Sequence, residues 1–248
     1  MSSTKNKVVG IAGYGEIGKS VGKCYKKKRK PFLIRDVDVD EIKDTQLDVL
    51  HICIPGNIPD FVKIVKDMIR KNAKDAIVII HSTVPIGTTE NIGKSHVFVA
   101  HSPVRGVHPN LCDGGLLNFV SYVGADHSGT ARLVCEHLET LGIECEAVRG
   151  SRNTEAGKLW STTAYGWSII LEKMIHRFCE DNNLNYDIVY KDFTDTYNQG
   201  YWKLDRGDVI RPSLTHMEGG IGGHCIVPNC EMLGGEVPDF ILEQNETF

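Results

Sequence analysis

Two glycine-rich clusters hold the residue types that could do chemistry. The first is Gly13-Tyr14-Gly15-Glu16-Ile17-Gly18, with G-x-G-x-x-G spacing. It follows the apolar run Val8–Ala12 and opens the helix-compatible stretch Lys19–Lys28. In that setting the first glycine permits a tight turn, the second lets backbone approach a pyrophosphate, and the third allows close helix–strand packing. The amides and positive pole at the helix start favour phosphate. Asp36 ends the next strand-like run, 18 residues beyond Gly18. A carboxylate there accepts hydrogen bonds from a ribose 2′-hydroxyl and repels a 2′-phosphate, so the cofactor reading is NAD. The neighbouring Arg35 pulls the other way, and a glycine-rich turn without a ligand is the plainer alternative.

The second cluster runs from His216 to Cys230 and carries Gly219-Gly220-Ile221-Gly222-Gly223-His224-Cys225. Glycines around Cys225 permit close backbone approach and expose the thiol. That surrounding suits a nucleophile, with a plain unreactive thiol as the other reading. Cys225, Cys230, His224 and His216 could in principle ligate zinc, but their spacing matches no pair of C-x-x-C knuckles, and no metal is expected. A third polar segment, His101 to Asn110, follows an apolar run at the end of a strand-like stretch. Ligands bind at that edge of open α/β sheets. Arg105 could clamp an anionic substrate there, with His101 and His108 beside it; a loop closed by its own hydrogen bonds is the alternative. The basic run Lys26–Lys30 reads as a solvated helix end.

Alternating elements must position these residues. Val8–Ala12, Phe32–Arg35, Asp48–Ile54, Ala76–Ile80 and His96–Ala100 are apolar runs of strand length. Between them, Phe61, Ile64, Val65, Met68 and Ile69 mark a helix over Pro59–Lys71. Pro55 stops the third strand, at a loop that would line the cofactor. Phe119–Gly124, a helix near Thr130–Leu141 and Cys145–Val148 add a further unit. This pattern predicts a doubly wound, Rossmann-type parallel sheet. The gap from Asp36 to Asp48 is too short for a crossover helix, so one helix is expected to be replaced by a loop. From Arg152 to Asn182 no proline interrupts a helical pattern of about 30 residues, roughly 45 Å long. A helix of that length is expected to bury both faces, often against a second copy, so a homodimer through residues 152–182 is expected. The division predicted is a cofactor-binding domain over 1–150 and a helical catalytic domain over 151–248.

Composition limits the classes. The 248 residues are 41% apolar and 24% charged, with net charge −4, arguing against nucleic-acid or anionic-membrane binding. No apolar run approaches the ~20 residues that span a bilayer. No secretory signal is expected, and eight cysteines are too few for a disulfide scaffold, so cytoplasmic, reduced thiols are expected. The 25 glycines are in excess, about a tenth of the chain against a usual ~7%, and their clustering is what carries the argument.

The fingerprint, Ser82-Thr83-Val84-Pro85-Ile86-Gly87-Thr88-Thr89 and Gly220-Ile221-Gly222-Gly223-His224-Cys225 together resemble the UDP-glucose/GDP-mannose dehydrogenase family. The second is similar to its S-T-V-P-x-G-T-T and the third to its G-x-G-G-x-C. Glu155-Ala156-Gly157-Lys158 looks like the start of its E-x-x-K-x-x-x-N helix. The resemblance spans most of the chain, in family order. It implies NAD-dependent oxidation of a sugar alcohol to an aldehyde, then capture by a cysteine as a thiohemiacetal. Oxidation of that adduct to a thioester and hydrolysis to the acid would follow. Cys225 would be the nucleophile, Lys158 would steady the oxyanion or shuttle a proton, and Thr83 would lie near the nicotinamide and a bound water. Asn229 stands where the family has a catalytic aspartate, Val104 where it has an acid, and Thr162 where it has an asparagine. Family members also carry a C-terminal nucleotide-sugar domain, whereas about 20 residues follow Cys225 here; a partner supplying that surface or a different substrate is expected. Two further readings stay open. One is a two-electron dehydrogenase using Lys158 alone, similar to 6-phosphogluconate and 3-hydroxyisobutyrate dehydrogenases, and the other is a non-catalytic NAD-binding protein.

Overall fold

The computed structural model describes residues 7–248. The chain forms two compact units, Met1–Lys158 and Leu159–Phe248. In the first, β1 (Val9–Ala12), β2 (Leu33–Asp36), β3 (Val39–Asp40), β4 (Val49–Ile52), β5 (Ile77–Ile80), β6 (Val99–His101), β7 (Ser121–Ala125) and β8 (Cys145–Arg149) build one sheet. Its order is β3-β2-β1-β4-β5-β6-β7-β8. The five strands from β2 through β6 in that order pair parallel, as do β7 and β8. The β2–β3 and β6–β7 pairs are antiparallel.

The central strands are apolar along their length because both faces are covered. Val78 and Ile80 point into a core with Phe61, Val65 and Ile69 of α2 (Phe61–Asn72). Ile79 points the other way, into a core with Val21 of α1 (Glu16–Lys27) and Val134 and Leu138 of α4 (Thr130–Glu139). The period of two assigns each side chain its face. A short helix, α3 (Thr88–Gly93), follows β5.

The crossover helix missing between Asp36 and Asp48 is replaced by a tight return. β3 pairs back onto β2, with Arg35 opposite Asp40, and turns follow. The strand expected at His96–Ala100 is displaced: β6 is Val99–His101. His101 is therefore a core strand residue rather than the first loop residue, and its imidazole is satisfied inside the unit.

α5 (Ser151–Asp181) begins in the first unit and continues through the second. In the second unit, Ile170 packs with Ile226 and Cys230 of α7 (Ile226–Leu233) and Ile241 of α8 (Glu236–Asn245). A π-helical turn, Asp187–Asp192, leads into α6 (Phe193–Lys203). The expectation that α5 buries both faces does not hold within the chain: Trp160, Tyr165, Trp167, Leu171 and Phe178 are exposed. Trp167 is in part covered by Phe240 of α8, the ring centres 5.4 Å apart. No described helix is long and apolar enough to cross a membrane.

Candidate functional site

The fingerprint sits at the carboxyl end of β1. Gly13 has φ +87°, a region that strains other residues, and its amide donates to Arg35 O at 2.8 Å. A Cβ on Gly18 would lie 1.9 Å from Gly13 O, so the helix can approach the turn only with glycine there. A Cβ on Gly15 would meet nothing within 4 Å, so this part of the turn faces open space. Glu16 opens α1, and Ile17 packs against the core beside Phe32 and Tyr14.

Asp36 closes the mouth of this turn. Its Oδ2 accepts from the Tyr14 amide and its Oδ1 from the Val37 amide. These amide donors, first Val37 and then Tyr14, with Lys19 nearby, hold the carboxyl below the usual range. Arg35 is turned to Asp40, Nε to Oδ2 at 3.7 Å. Glu16 and His108, expected on the cofactor and substrate sides, are brought together: His108 Nδ1 lies 2.6 Å from Glu16 Oε1.

Two more loops leave the same sheet edge. Pro55 follows β4 and Thr83 follows β5. A Cβ on Gly56 would lie 1.9 Å from Thr83 O, so the loops touch through backbone. Ser82 Oγ donates to Ile54 O at 2.6 Å, tying them again. The Thr83 loop is anchored by Glu155, fully buried on α5, whose Oε2 accepts from Gly87 N at 2.6 Å and Oε1 from Thr89 N at 2.8 Å. Burial pushes this carboxyl up, opposed by the Thr89 and Gly87 donors. Lys158 is one helical turn on, on the same face of α5, and its Nζ donates to Val104 O at 2.9 Å. Composition and spacing did not reveal that Glu155 holds the loop; its three-residue offset from Lys158 was the only trace.

Arg105 is half-buried, its guanidinium donating to Val120 O and lying 5.0 Å from the Tyr122 ring centre. Within the second unit, Cys225 caps the start of α7 and is exposed, as is His224. Asn229 is buried one turn along α7, its amide donating to Cys225 O at 3.2 Å. Cys230 is buried, and burial pushes its thiol up. His216 pairs with buried Glu172, Nδ1 to Oε1 at 2.9 Å, and stacks on His176 at 3.6 Å. Among the described residues, no group of three or more His, Cys, Asp or Glu is placed to hold a metal. All eight cysteines are thiols.

A buried polar chain crosses the first unit, unanticipated from the sequence. His137 Nε2 lies 2.6 Å from Tyr25 Oη, which lies 2.7 Å from His51 Nε2. His51 Nδ1 lies 2.9 Å from His81 Nε2, and His81 Nδ1 donates to Ser102 O at 2.8 Å. The available signal was His51 inside the buried run Val49–Ile52, where an imidazole must find partners.

No protein-family model matches the sequence, and no curated protein matches it. Solved structures share its fold. The UDP-D-ManNAc dehydrogenase of Pyrococcus horikoshii is 16% identical with TM-score 0.77, over 96% of this chain and 68% of that one. A UDP-glucose dehydrogenase from Pyrobaculum islandicum is 14% identical with TM-score 0.69, over 100% and 69%. The 3-hydroxyisobutyrate dehydrogenase of Mycobacterium tuberculosis, solved with L-serine, is 11% identical with TM-score 0.69, over 98% and 94%. At these identities the likeness establishes the architecture: a Rossmann-type, mostly parallel sheet, a long helix and a helical unit. The chain spans about two thirds of the nucleotide-sugar dehydrogenases and nearly all of the hydroxyisobutyrate enzyme.

Proposed function

We propose that the protein is an NAD-dependent dehydrogenase that oxidises an alcohol on a sugar-like or hydroxy-acid substrate. The observation that carries this reading is the turn at Gly13–Gly18, open at Gly15 and closed by the Asp36 carboxylate. The open turn and the amides at the start of α1 suit a pyrophosphate. An anionic Asp36 suits ribose hydroxyls and opposes a 2′-phosphate, and the Arg35–Asp40 pairing removes a competing cation. Residues 1–150 would bind the cofactor, with Pro55 and Thr83 lining its nicotinamide half, and 151–248 would supply the helical catalytic part.

When bound, the nicotinamide would take up hydride from the alcohol carbon. Lys158, whose ammonium donates to Val104 O, would steady the alkoxide as its proton leaves to solvent. Cys225 would then add to the aldehyde through sulfur, giving a thiohemiacetal, with Asn229 one turn away supporting the thiol's helix end. That adduct would give hydride to a second molecule of NAD, leaving a thioester on Cys225, and water would release the acid and restore the thiol. Arg105, His108 and His224 would face the substrate. The exposed aromatic side chains of α5 favour a homodimer through residues 152–182.

A second reading is favoured by one observation: the hydroxyisobutyrate dehydrogenase is matched over 94% of its length. In it, Lys158 serves a single two-electron oxidation and Cys225 is idle. A screen of hydroxylated metabolites and nucleotide sugars for NADH absorbance tests the proposal. Turnover of at least one substrate is expected, and NAD binding without turnover on any would leave a binding protein. Cys225→Ser separates the two routes. The covalent route predicts loss of acid product with aldehyde released, and an unchanged rate and product would exclude it.

A further inference from the structure

A cavity of about 310 Å³ opens at the sheet edge opposite the fingerprint. It lies at the amino ends of the strands, where Ile77 opens β5 and Lys7 precedes β1. Its volume is at the lower end of the range for small-molecule sites. Ile77 and Leu133 give it apolar walls, and Lys7, Lys30, Glu136 and His137 are its charged or titratable lining.

The polar chain fixes what His137 offers. Ser102 O can only accept, so His81 Nδ1 carries its proton and His81 Nε2 accepts. His51 Nδ1 must then donate, which makes His51 Nε2 the acceptor of the Tyr25 hydroxyl. Tyr25 has one proton, so its oxygen accepts from His137 Nε2–H. A neutral His137 is left with Nδ1 as an acceptor, with no partner among the described residues. Burial keeps that ring neutral, and the charges of Lys7 and Lys30 beside it push the same way. The cavity thus combines two ammonium groups, one carboxylate, one imidazole acceptor and a hydrocarbon wall.

We propose that this cavity is a second ligand site, suited to a small organic monoanion that also carries a hydroxyl. The anionic group would lie between Lys7 and Lys30, and the hydroxyl would donate to His137. The hydrocarbon body would lie against Ile77 and Leu133. Glu136 opposes a second negative group, which sets the preference for a monoanion.

4-Hydroxybenzoate is a suitable probe, titrated into the full chain by nitrogen-15 NMR, with benzoate for comparison. Saturable one-to-one binding is expected, with shifts centred on Leu133, His137 and Thr140 and weaker binding of benzoate. Lys30→Gln is expected to weaken binding about fivefold, the scale of one partly exposed ion pair. Leu133→Trp, which fills the cavity, is expected to abolish it while the thermal melt persists. A non-saturating response overturns the proposal. So do shifts confined to Gly13–Gly18, or an affinity unchanged in Lys30→Gln; that variant keeps the test open if Leu133→Trp fails to fold.

Discussion

Lowering the pH from 7 to 5 should remove much of the stability of the first unit, because its buried imidazoles cannot be protonated in place. His81 is held at about 4, and His101 and His137 at about 3, each chiefly by burial. His51, enclosed between Tyr25 and His81, is pushed well down by the same cause. In the unfolded chain all would titrate near 6.5. Between about pH 6.5 and 4 the unfolded state therefore binds more protons, and stability falls as pH drops. A pH of 5 lies about 1.5 units below each group's unfolded value, which costs about 2 kcal/mol per group at ~1.4 kcal/mol per unit. His81, His101 and His137 together give about 6 kcal/mol, with His51 adding in the same direction. A domain typically has 5–15 kcal/mol in all. Urea unfolding at constant ionic strength, at pH 7, 6 and 5, would measure this. His81→Asn keeps an amide donor for Ser102 O but removes one titrating ring. It should be less stable at pH 7 and lose about 2 kcal/mol less on going to pH 5. A wild-type stability flat across that range, or an unchanged slope in His81→Asn, would refute the reasoning.

Glu155→Gln replaces one of two carboxylate oxygens by an amide donor facing a backbone amide. A cost of about 1–3 kcal/mol is expected, read as a lower melting temperature, together with weaker substrate turnover because the Thr83 loop loses its anchor. Val104 accepts from Lys158 through its carbonyl, so Val104→Ala should leave turnover within about twofold in steady-state assays, since it alters no backbone acceptor. Analytical sedimentation at micromolar concentration should give twice the chain mass. Leu171→Glu on the exposed side of α5 should shift it toward the monomer, and a monomeric wild type would exclude the homodimer.

Much of the sheet could be read from the chain because strands buried on both faces are written as apolar runs, and the fingerprint because only glycine fits Gly13 and Gly18. β3 could not, being two residues held by pairing with β2. The displaced β6 follows from partners remote in sequence: His101 is buried because Thr154 and Ser82 satisfy it, 53 and 19 residues away. The histidine chain was hidden for the same reason, since α1, β4, the end of β5 and α4 each contribute one member. Around the candidate site, glycines flanking a thiol pointed to the Cys225 loop, and the family resemblance pointed to the Thr83 loop. That Arg105 is engaged by Val120 O and Tyr122, and that Glu155 is the loop's anchor, depended on which loops fold together.

The claim on which the functional reading stands is that Gly13–Gly18 and Asp36 hold NAD. Isothermal titration of the purified protein with NAD and with NADP tests it directly. Saturable NAD binding is expected, at least tenfold tighter than NADP, with the preference reduced in Asp36→Asn. A clear preference for NADP, or no binding of either dinucleotide, would contradict it.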